Sequence, residues 1–279
     1  MKILPFQIPK PTNDALIYQE DHELEFYNQL HQHEEIQLSF IAQGEGTLLV
    51  GDSLTSYSKG DVFAIDSNLP HVFLSAKEAT SKSLMLSLFF TRNSFGKGFF
   101  ELEETHETRD FFDGLKNGFK IEASKEEVSD LFLNLKHQSK MQRFIALLEI
   151  VRRMSHAKKS ILSSQIFEKR FSANEGKRMR DVMDFTLHNF NKDIRTETIA
   201  DIAYMTPNAF CKYFKKRTNK TYNQFLNEIR IEKACQLLNG TDGLIAEIGF
   251  ATGFRNLSNF NRKFKEIKGL TPSAYRAQH

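Results

Sequence analysis

The sequence predicts a two-domain chain in which an antiparallel β-barrel with flanking helices precedes an all-α domain. Three observations carry this. Apolar residues between positions 36 and 90 come in short runs broken by Gly-containing turns, whereas from Met179 onward they recur at helical spacing. Charge divides the same way: residues 175–279 hold 18 Lys+Arg against 11 Asp+Glu, a net of +7, while residues 1–174 hold 20 against 24, a net of −4. The length of 279 residues also suits two cores better than one, at about 100 to 200 residues per domain.

The strands come first. Ile36, Leu38 and Phe40 alternate with polar neighbours, Gly44 and Gly46 mark a turn, residues 48–50 are apolar, and Gly51-Asp52 reads as a hairpin. Val62 to Ile65 follows the Gly60-Asp61 turn, and residues 72–74 and 84–90 continue at the spacing of an antiparallel sandwich or barrel. After Gly98 the texture is helical: residues 125–135 and 141–154 place Met141, Phe144, Ile145, Leu148 and Val151 on one apolar stripe. The expected division is a barrel over 1–98, a helical dimerisation segment over 99–160, a linker over 161–176 and a helical domain over 177–279. In that last domain Thr196 opens one helix, Pro207 suits the first turn of the next, and a longer helix over 221–238 closes at Gly240.

Composition narrows the class. With 40% hydrophobic and 26% charged residues, 14 Gly and 6 Pro, the chain is neither a disordered polyelectrolyte nor a low-complexity repeat. No apolar run approaches the roughly 20 residues that span a bilayer, and MKILPFQIPKP lacks the apolar core of a secretory signal, so no membrane partner is expected. Cys211 and Cys235, the two cysteines, make neither a disulfide framework nor a zinc site by themselves. A reducing cytoplasm is the expected location.

An internal repeat carries the functional signal. Ile199-Ala200-Asp201-Ile202-Ala203 matches Ile245-Ala246-Glu247-Ile248-Gly249 at an offset of 46, and Phe210, Phe214, Lys215, Thr221 and Phe225 match Phe260, Phe264, Lys265, Thr271 and Tyr275 at an offset of 50. On this reading the second copy has four extra residues between its halves. Each copy is a short helix, a tight connection and a second helix with an apolar i, i+4 pair on one side and basic residues on the other, which is the layout of a helix-turn-helix. A plain helical bundle would bury the same Phe pairs. The density of Lys212, Lys215, Lys216, Arg217 and Lys220 in one copy, and of Arg255, Arg262, Lys263, Lys265 and Lys268 in the other, favours double-stranded DNA as the partner.

The stretches IADIAYMTPNAFCKYFKKRT, NQFLNEIRIEKACQLL and IAEIGFATGFRNLSNFNRKFKEIKGLTPSAYR resemble the DNA-binding domain of the AraC family of transcription regulators. The resemblance implies two helix-turn-helix units joined by one long helix, each entering a major groove. Carried over position by position, it implies base contacts from Asn208, Cys211 and Lys212 in the first unit and from Ser258, Asn261 and Arg262 in the second, with Lys215, Lys216, Arg255 and Lys265 on phosphates. Arg262 suits guanine, Asn208 or Asn261 adenine, and Cys211 close apolar approach. One departure stands out: Ala203-Tyr204-Met205 occupies the turn where the family usually has a Gly.

LHQHEEIQLSFIAQGEGTLLVGD and YSKGDVFAIDSNLPHVF resemble the cupin barrel that often forms the sensing domain of this family. His31, His33 and His71 match the three metal-binding histidines of that barrel, but Gln37 stands at its carboxylate position. A neutral amide is a weak ligand for a divalent ion, so the expectation is an effector-binding cluster of His31, His33, Gln37 and His71 without a metal cofactor. The leading reading is therefore a non-enzymatic, homodimeric, sequence-specific regulator controlled by a small-molecule effector such as a sugar. The resemblance further implies activation through RNA polymerase. Two alternatives stand beside it: a cupin enzyme using a divalent metal at His31, His33 and His71 and fused to a DNA-binding module, and a constitutive DNA-binding protein whose barrel only dimerises.

Overall fold

The computed structural model describes residues 14–27, 30–75, 82–122, 125–164, 173–218 and 220–278. They fall into two compact units, one up to Ser164 and one from Ala173. Residues 165–172 of the expected linker lie outside the described residues.

The first unit is built on strands β1 (Ile17–Glu23), β2 (Ile36–Gln43), β3 (Gly46–Val50), β4 (Ser53–Tyr57), β5 (Val62–Ile65), β6 (His71–Ser75) and β7 (Ser83–Phe90). Helix α1 (Arg109–Leu115), strand β8 (Phe119–Ile121), helices α2 (Lys125–Asn134) and α3 (Lys140–His156), and strand β9 (Lys159–Ile161) complete it. Two antiparallel sheets form, in the orders β1-β7-β2-β5-β8-β9 and β4-β3-β6. The period-2 alternation of side chains explains why β2 is buried on both faces. Leu38 and Phe40 meet the helices in one core with Leu86, Leu88, Phe132, Leu147 and Ile150, while Ile41 faces the space between the sheets with Leu48, Val50, Phe63 and Phe73. Gln37 and Ser39 share the inward face with Ile41, so polar atoms line part of the interior.

Three expectations need correction here. Residues 99–160 are not purely helical, because β8 pairs with β5 and thereby extends the barrel sheet. The linker does not begin at 161: Ile161 ends β9, and the residues after it are bonded back to the barrel. Buried Asp52 accepts from Ser163 Oγ and Ser164 N, both at 2.9 Å, and from Ser164 Oγ, while Leu162 N donates to Gly118 O at 3.0 Å. The apolar stripe on α3 is also rotated from the expected one. Ala146, Leu147, Ile150, Val151 and Met154 are buried, whereas Met141 and Ile145 point outward at 64% and 55% exposure.

The second unit is helical throughout: α4 (Ala173–Asn189), α5 (Thr196–Ile202), α6 (Pro207–Thr218), α7 (Tyr222–Gly240), α8 (Ile245–Ala251), α9 (Leu257–Lys268) and α10 (Pro272–Gln278). Helix α7 opens with a capping box between Thr221 and Gln224, each side chain accepting from the other residue's backbone N–H. It does not stop at Gly240 through a left-handed cap. Instead it includes Gly240, and Thr241 closes it, with backbone N and Oγ1 both donating to Leu237 O.

The repeat is real, but its register differs from the one the sequence suggests. Helices α5 and α8 end in the same six-to-one bond, Met205 N to Ala200 O and Phe254 N to Gly249 O. Ile199-Ala200 therefore occupies the place of Ile248-Gly249, an offset of 49, and these four residues are all buried. One extra residue separates the halves of the second copy, not four. The similarity at offset 46 pairs residues that lie about one helical turn apart.

Candidate functional site

Helices α6 and α9 are the second helices of the two units, and each is oriented by its aromatic pair. Phe210 and Phe214 pack with Tyr222 and Phe225 at ring separations of 5.5–5.6 Å, and Phe260 and Phe264 pack with Phe254 and Tyr275 at 5.3–5.7 Å. All four pair members are fully buried. Burying a Phe side chain stabilises by about 1.5 to 3 kcal/mol, so the inward face of each helix is fixed and the outward face follows by geometry. Start signals agree: Thr206 Oγ1 accepts from Ala209 N, and Asn256 Oδ1 accepts from Asn259 N at 2.8 Å.

Every residue expected on a base is exposed: Asn208, Cys211 and Lys212 on α6, and Ser258, Asn261 and Arg262 on α9. Lys215, Lys216, Arg255 and Lys265, expected on phosphates, are exposed as well. Each unit thus gathers its own set on one face. Two basic groups carry partners that sequence reasoning missed. Arg255 is ion-paired with Asp193, and Arg262 donates to Asn259 Oδ1 at 2.9 Å and to Glu266 Oε2 at 3.4 Å. The i−3 and i+4 spacing of Asn259 and Glu266 from Arg262 was the available signal.

The turn of the first unit adopts the geometry of the second without its glycine. Tyr204 has φ 55°, in the left-handed region, at the position where the second unit has Gly253 at φ 92°. The hydrogen bonds on either side of it are intact.

In the barrel unit, His31 and His71 pair backbone to backbone across an isolated bridge, at 3.1 and 2.9 Å. His33 lies in the segment leading into β2, and Gln37 lies on β2 itself. Imidazole nitrogens of the three histidines all come within 4.8 Å of one another, and ring centroids of the His31–His71 and His33–His71 pairs are 4.4 and 5.1 Å apart. Gln37 Oε1 lies 3.1 Å from His33 Nε2 and 3.0 Å from His71 Nε2, and the contacts continue through Ser39 Oγ to Ser87 Oγ. The four residues expected to form this cluster do converge.

Backbone carbonyls fix the donor role of one nitrogen in two of its rings. His33 Nδ1 faces Glu35 O at 2.9 Å and His71 Nδ1 faces Leu69 O at 2.8 Å, so both rings carry their proton on Nδ1. Burial, reinforced by the neighbouring His31 and His33, holds His71 well below the ordinary histidine range, which keeps it neutral. Gln37 faces both rings through its amide oxygen, while its amide nitrogen donates to Ser39 Oγ at 2.8 Å.

Comparison with known proteins agrees with both halves. A helix-turn-helix domain family matches residues 199–278 and a cupin domain family matches residues 20–87. An uncharacterised helix-turn-helix-type transcriptional regulator of Staphylococcus aureus is 21% identical over 244 residues, covering 86% of this chain and 31% of that protein. YijO, an uncharacterised regulator of the same type from Escherichia coli, is 29% identical over 147 residues, covering 53% of this chain and 50% of that protein. The chain thus spans between about a third and a half of the length of these curated relatives. Among solved structures, the DNA-binding domain of AdpA, determined with a target DNA, is 28% identical, covers 37% of this chain and 92% of its own, and has a TM-score of 0.35.

Proposed function

We propose that the chain, which carries a helix-turn-helix domain and a cupin domain, is a sequence-specific DNA-binding transcription regulator of the AraC type whose hold on DNA responds to a small polar effector at the histidine cluster. One observation carries the DNA half: two second helices, each fixed by a buried Phe pair, present exposed Asn, Ser, Lys and Arg side chains on their outward faces. Helix α6 has no acidic residue at all. Such faces suit the major groove, with Asn208, Cys211, Lys212, Ser258, Asn261 and Arg262 toward base edges. Lys215, Lys216, Arg255 and Lys265 then take phosphates. Arg255 must leave Asp193 to do so, a small step because an exposed ion pair contributes about 0 to 1 kcal/mol.

At the cluster, His31, His33, Gln37 and His71 offer imidazole and amide groups but no fixed cation, which suits the hydroxyl groups of a neutral molecule such as a sugar. A second reading has its own support. The Nδ1-to-carbonyl bonds of His33 and His71 are the arrangement that orients metal-binding histidines. His31, His33 and His71 would hold a divalent ion there with Gln37 as a weak fourth ligand, and the ion would supply a positive point for an effector's oxygen atoms. The neutral amide favours the metal-free reading. The proposal extends to a homodimer, to activation through RNA polymerase and to a cytoplasmic location. Among the described residues no helix is long and apolar enough to cross a membrane.

The test is titration of the whole chain with duplex DNA at several salt concentrations. Affinity should fall steeply with salt, as several phosphate contacts require. A folded chain that binds no duplex at low salt would remove the proposal. Metal analysis of the purified chain decides the second reading: stoichiometric metal that survives chelation establishes it. DNA binding that no small molecule alters would point instead to a barrel that only dimerises.

A further inference from the structure

Helices α6 and α9 match in fold and differ in what surrounds the basic residue at their shared base-facing position. Lys212 and Arg262 correspond at the offset of 50, as do Phe210 with Phe260 and Phe214 with Phe264. Around Arg262, Asn259 accepts from one terminal nitrogen at 2.9 Å and Glu266 from the other at 3.4 Å. The corresponding neighbours of Lys212 are Ala209 and Lys216. One of these has no acceptor, and the other repels an ammonium. Glu266 is the one acidic residue in the two helices.

We propose that Asn259 and Glu266 are positioning residues that hold Arg262 ready for a guanine, so that the second unit sets sequence preference while the first contributes mainly charge. The inference rests on the DNA-binding reading above and deepens it. A guanidinium has five N–H groups. Two are engaged by Asn259 and Glu266, and three remain, of which a guanine takes two through O6 and N7. A side chain already held along the helix surrenders less rotamer freedom on contact, and the saving is realised only where the base offers the matching acceptors. Lys212 has no such constraint. It stands beside Lys215 and Lys216, and its ammonium serves any nearby phosphate, so its contribution is indifferent to sequence.

Glu266 acts in a second way that can be separated from the first. Its carboxylate also meets Lys263 Nζ, at 2.9 and 3.0 Å, and lowers the net charge that α9 presents to the backbone of any duplex. Glu266→Ala removes charge and acceptor together, whereas Glu266→Gln removes the charge and keeps an acceptor oxygen.

The experiment selects duplexes from a randomised pool with the whole chain, then measures binding to the recovered sequence and its single-base variants. Arg262→Ala should erase preference at one base pair, and Lys212→Ala should weaken all sequences alike. Glu266→Ala and Asn259→Ala should each relax that same base pair, by about three- to tenfold, the equivalent of ordering one long side chain. Glu266→Gln should restore the preference while still steepening the salt dependence by about one unit of slope. Unchanged base preference in both Glu266 variants, with only a rise in affinity for every sequence, would overturn the positioning role. Loss of preference at a base pair in Lys212→Ala as large as in Arg262→Ala would overturn the division between the units. A wild-type chain that binds DNA but selects no sequence would overturn the sequence-specific part of the function itself, whereas the two preceding outcomes leave that function standing and overturn only this inference.

Discussion

Replacing Tyr204 with glycine should stabilise the helical unit. The residue sits at φ 55° in the turn between α5 and α6, where a side chain with a Cβ carries about 1 to 2 kcal/mol of strain. Its ring is 75% exposed, so little buried area is lost on removal. Glycine has more freedom to lose on folding, about 0.5 to 1 kcal/mol, which offsets part of the gain. The net expectation is about 0.5 to 1 kcal/mol of added stability. The second unit supplies the control, because Gly253→Ala places a Cβ within 2.8 Å of Asn191 Cα and Phe190 O. These are backbone atoms that cannot step aside, so that substitution should cost about 2 kcal/mol or more. A urea titration of the whole chain, followed by amide exchange at buried Ile199 and Ala200, reads the change within this unit. If Tyr204→Gly lowers stability by more than about 0.5 kcal/mol, the ring does more by packing than it costs in strain, and the reasoning fails. If stability rises while DNA affinity falls, the tyrosine is kept for contact with DNA.

Asp61→Asn should destabilise the barrel by about 2 to 3 kcal/mol, because the carboxylate accepts from Lys120 and Lys125, both at 2.8 Å, and the partial exposure of the lysines trims the penalty of a fully buried pair. Burial tends to raise this carboxyl, but bonds from Lys120 and Lys125 outweigh it and hold it below the usual carboxylate range. Its contribution is therefore complete above the unfolded pKa of about 3.9 and disappears as pH falls through the folded value. Urea titrations of the two proteins should differ at pH 7 and converge in strong acid, and a gap that is independent of pH would refute the ionic explanation. The intact chain should sediment as a dimer at high micromolar concentration, with exposed Met141 and Ile145 of α3 in the contact. Changing both to Lys should give a monomer, and a monomeric wild type would remove the dimer.

Legibility followed the strength of local patterning. β2, β5 and β7 were readable because their runs are long or bounded by Gly turns. β1 was not, since IYQEDHE is mostly polar and becomes a strand through its pairing with β7. β8 and β9 have three residues each, too few for any period to show, and exist because β5 offers an open edge. The outward faces of α6 and α9 followed from the i, i+4 Phe pairs, and the contact residues that the family resemblance assigned are all exposed. The register of the repeat did not, because letter similarity at offset 46 outscored the burial of Ile199-Ala200 and Ile248-Gly249 that governs packing. Convergence of the histidines came only through resemblance. The double duty of Gln37, facing two imidazoles at once, depends on distances that no spacing in the sequence encodes.

The small residues at the matched positions of the two units have a consequence for how this domain can change over time. Ala200 carries a methyl group in the first unit, whereas a Cβ on Gly249 would lie 3.0 Å from Phe260 Cδ1 and 3.1 Å from its Cγ. The second unit has closed up around the missing methyl. Two modules that look like copies have therefore ceased to be spare parts for each other. A segment exchanged from the first into the second would carry a methyl into the side of Phe260, the ring that seats the reading helix. Each half must now drift within the limits of its own core, and an accidental recombination that makes the halves alike again would damage one of them.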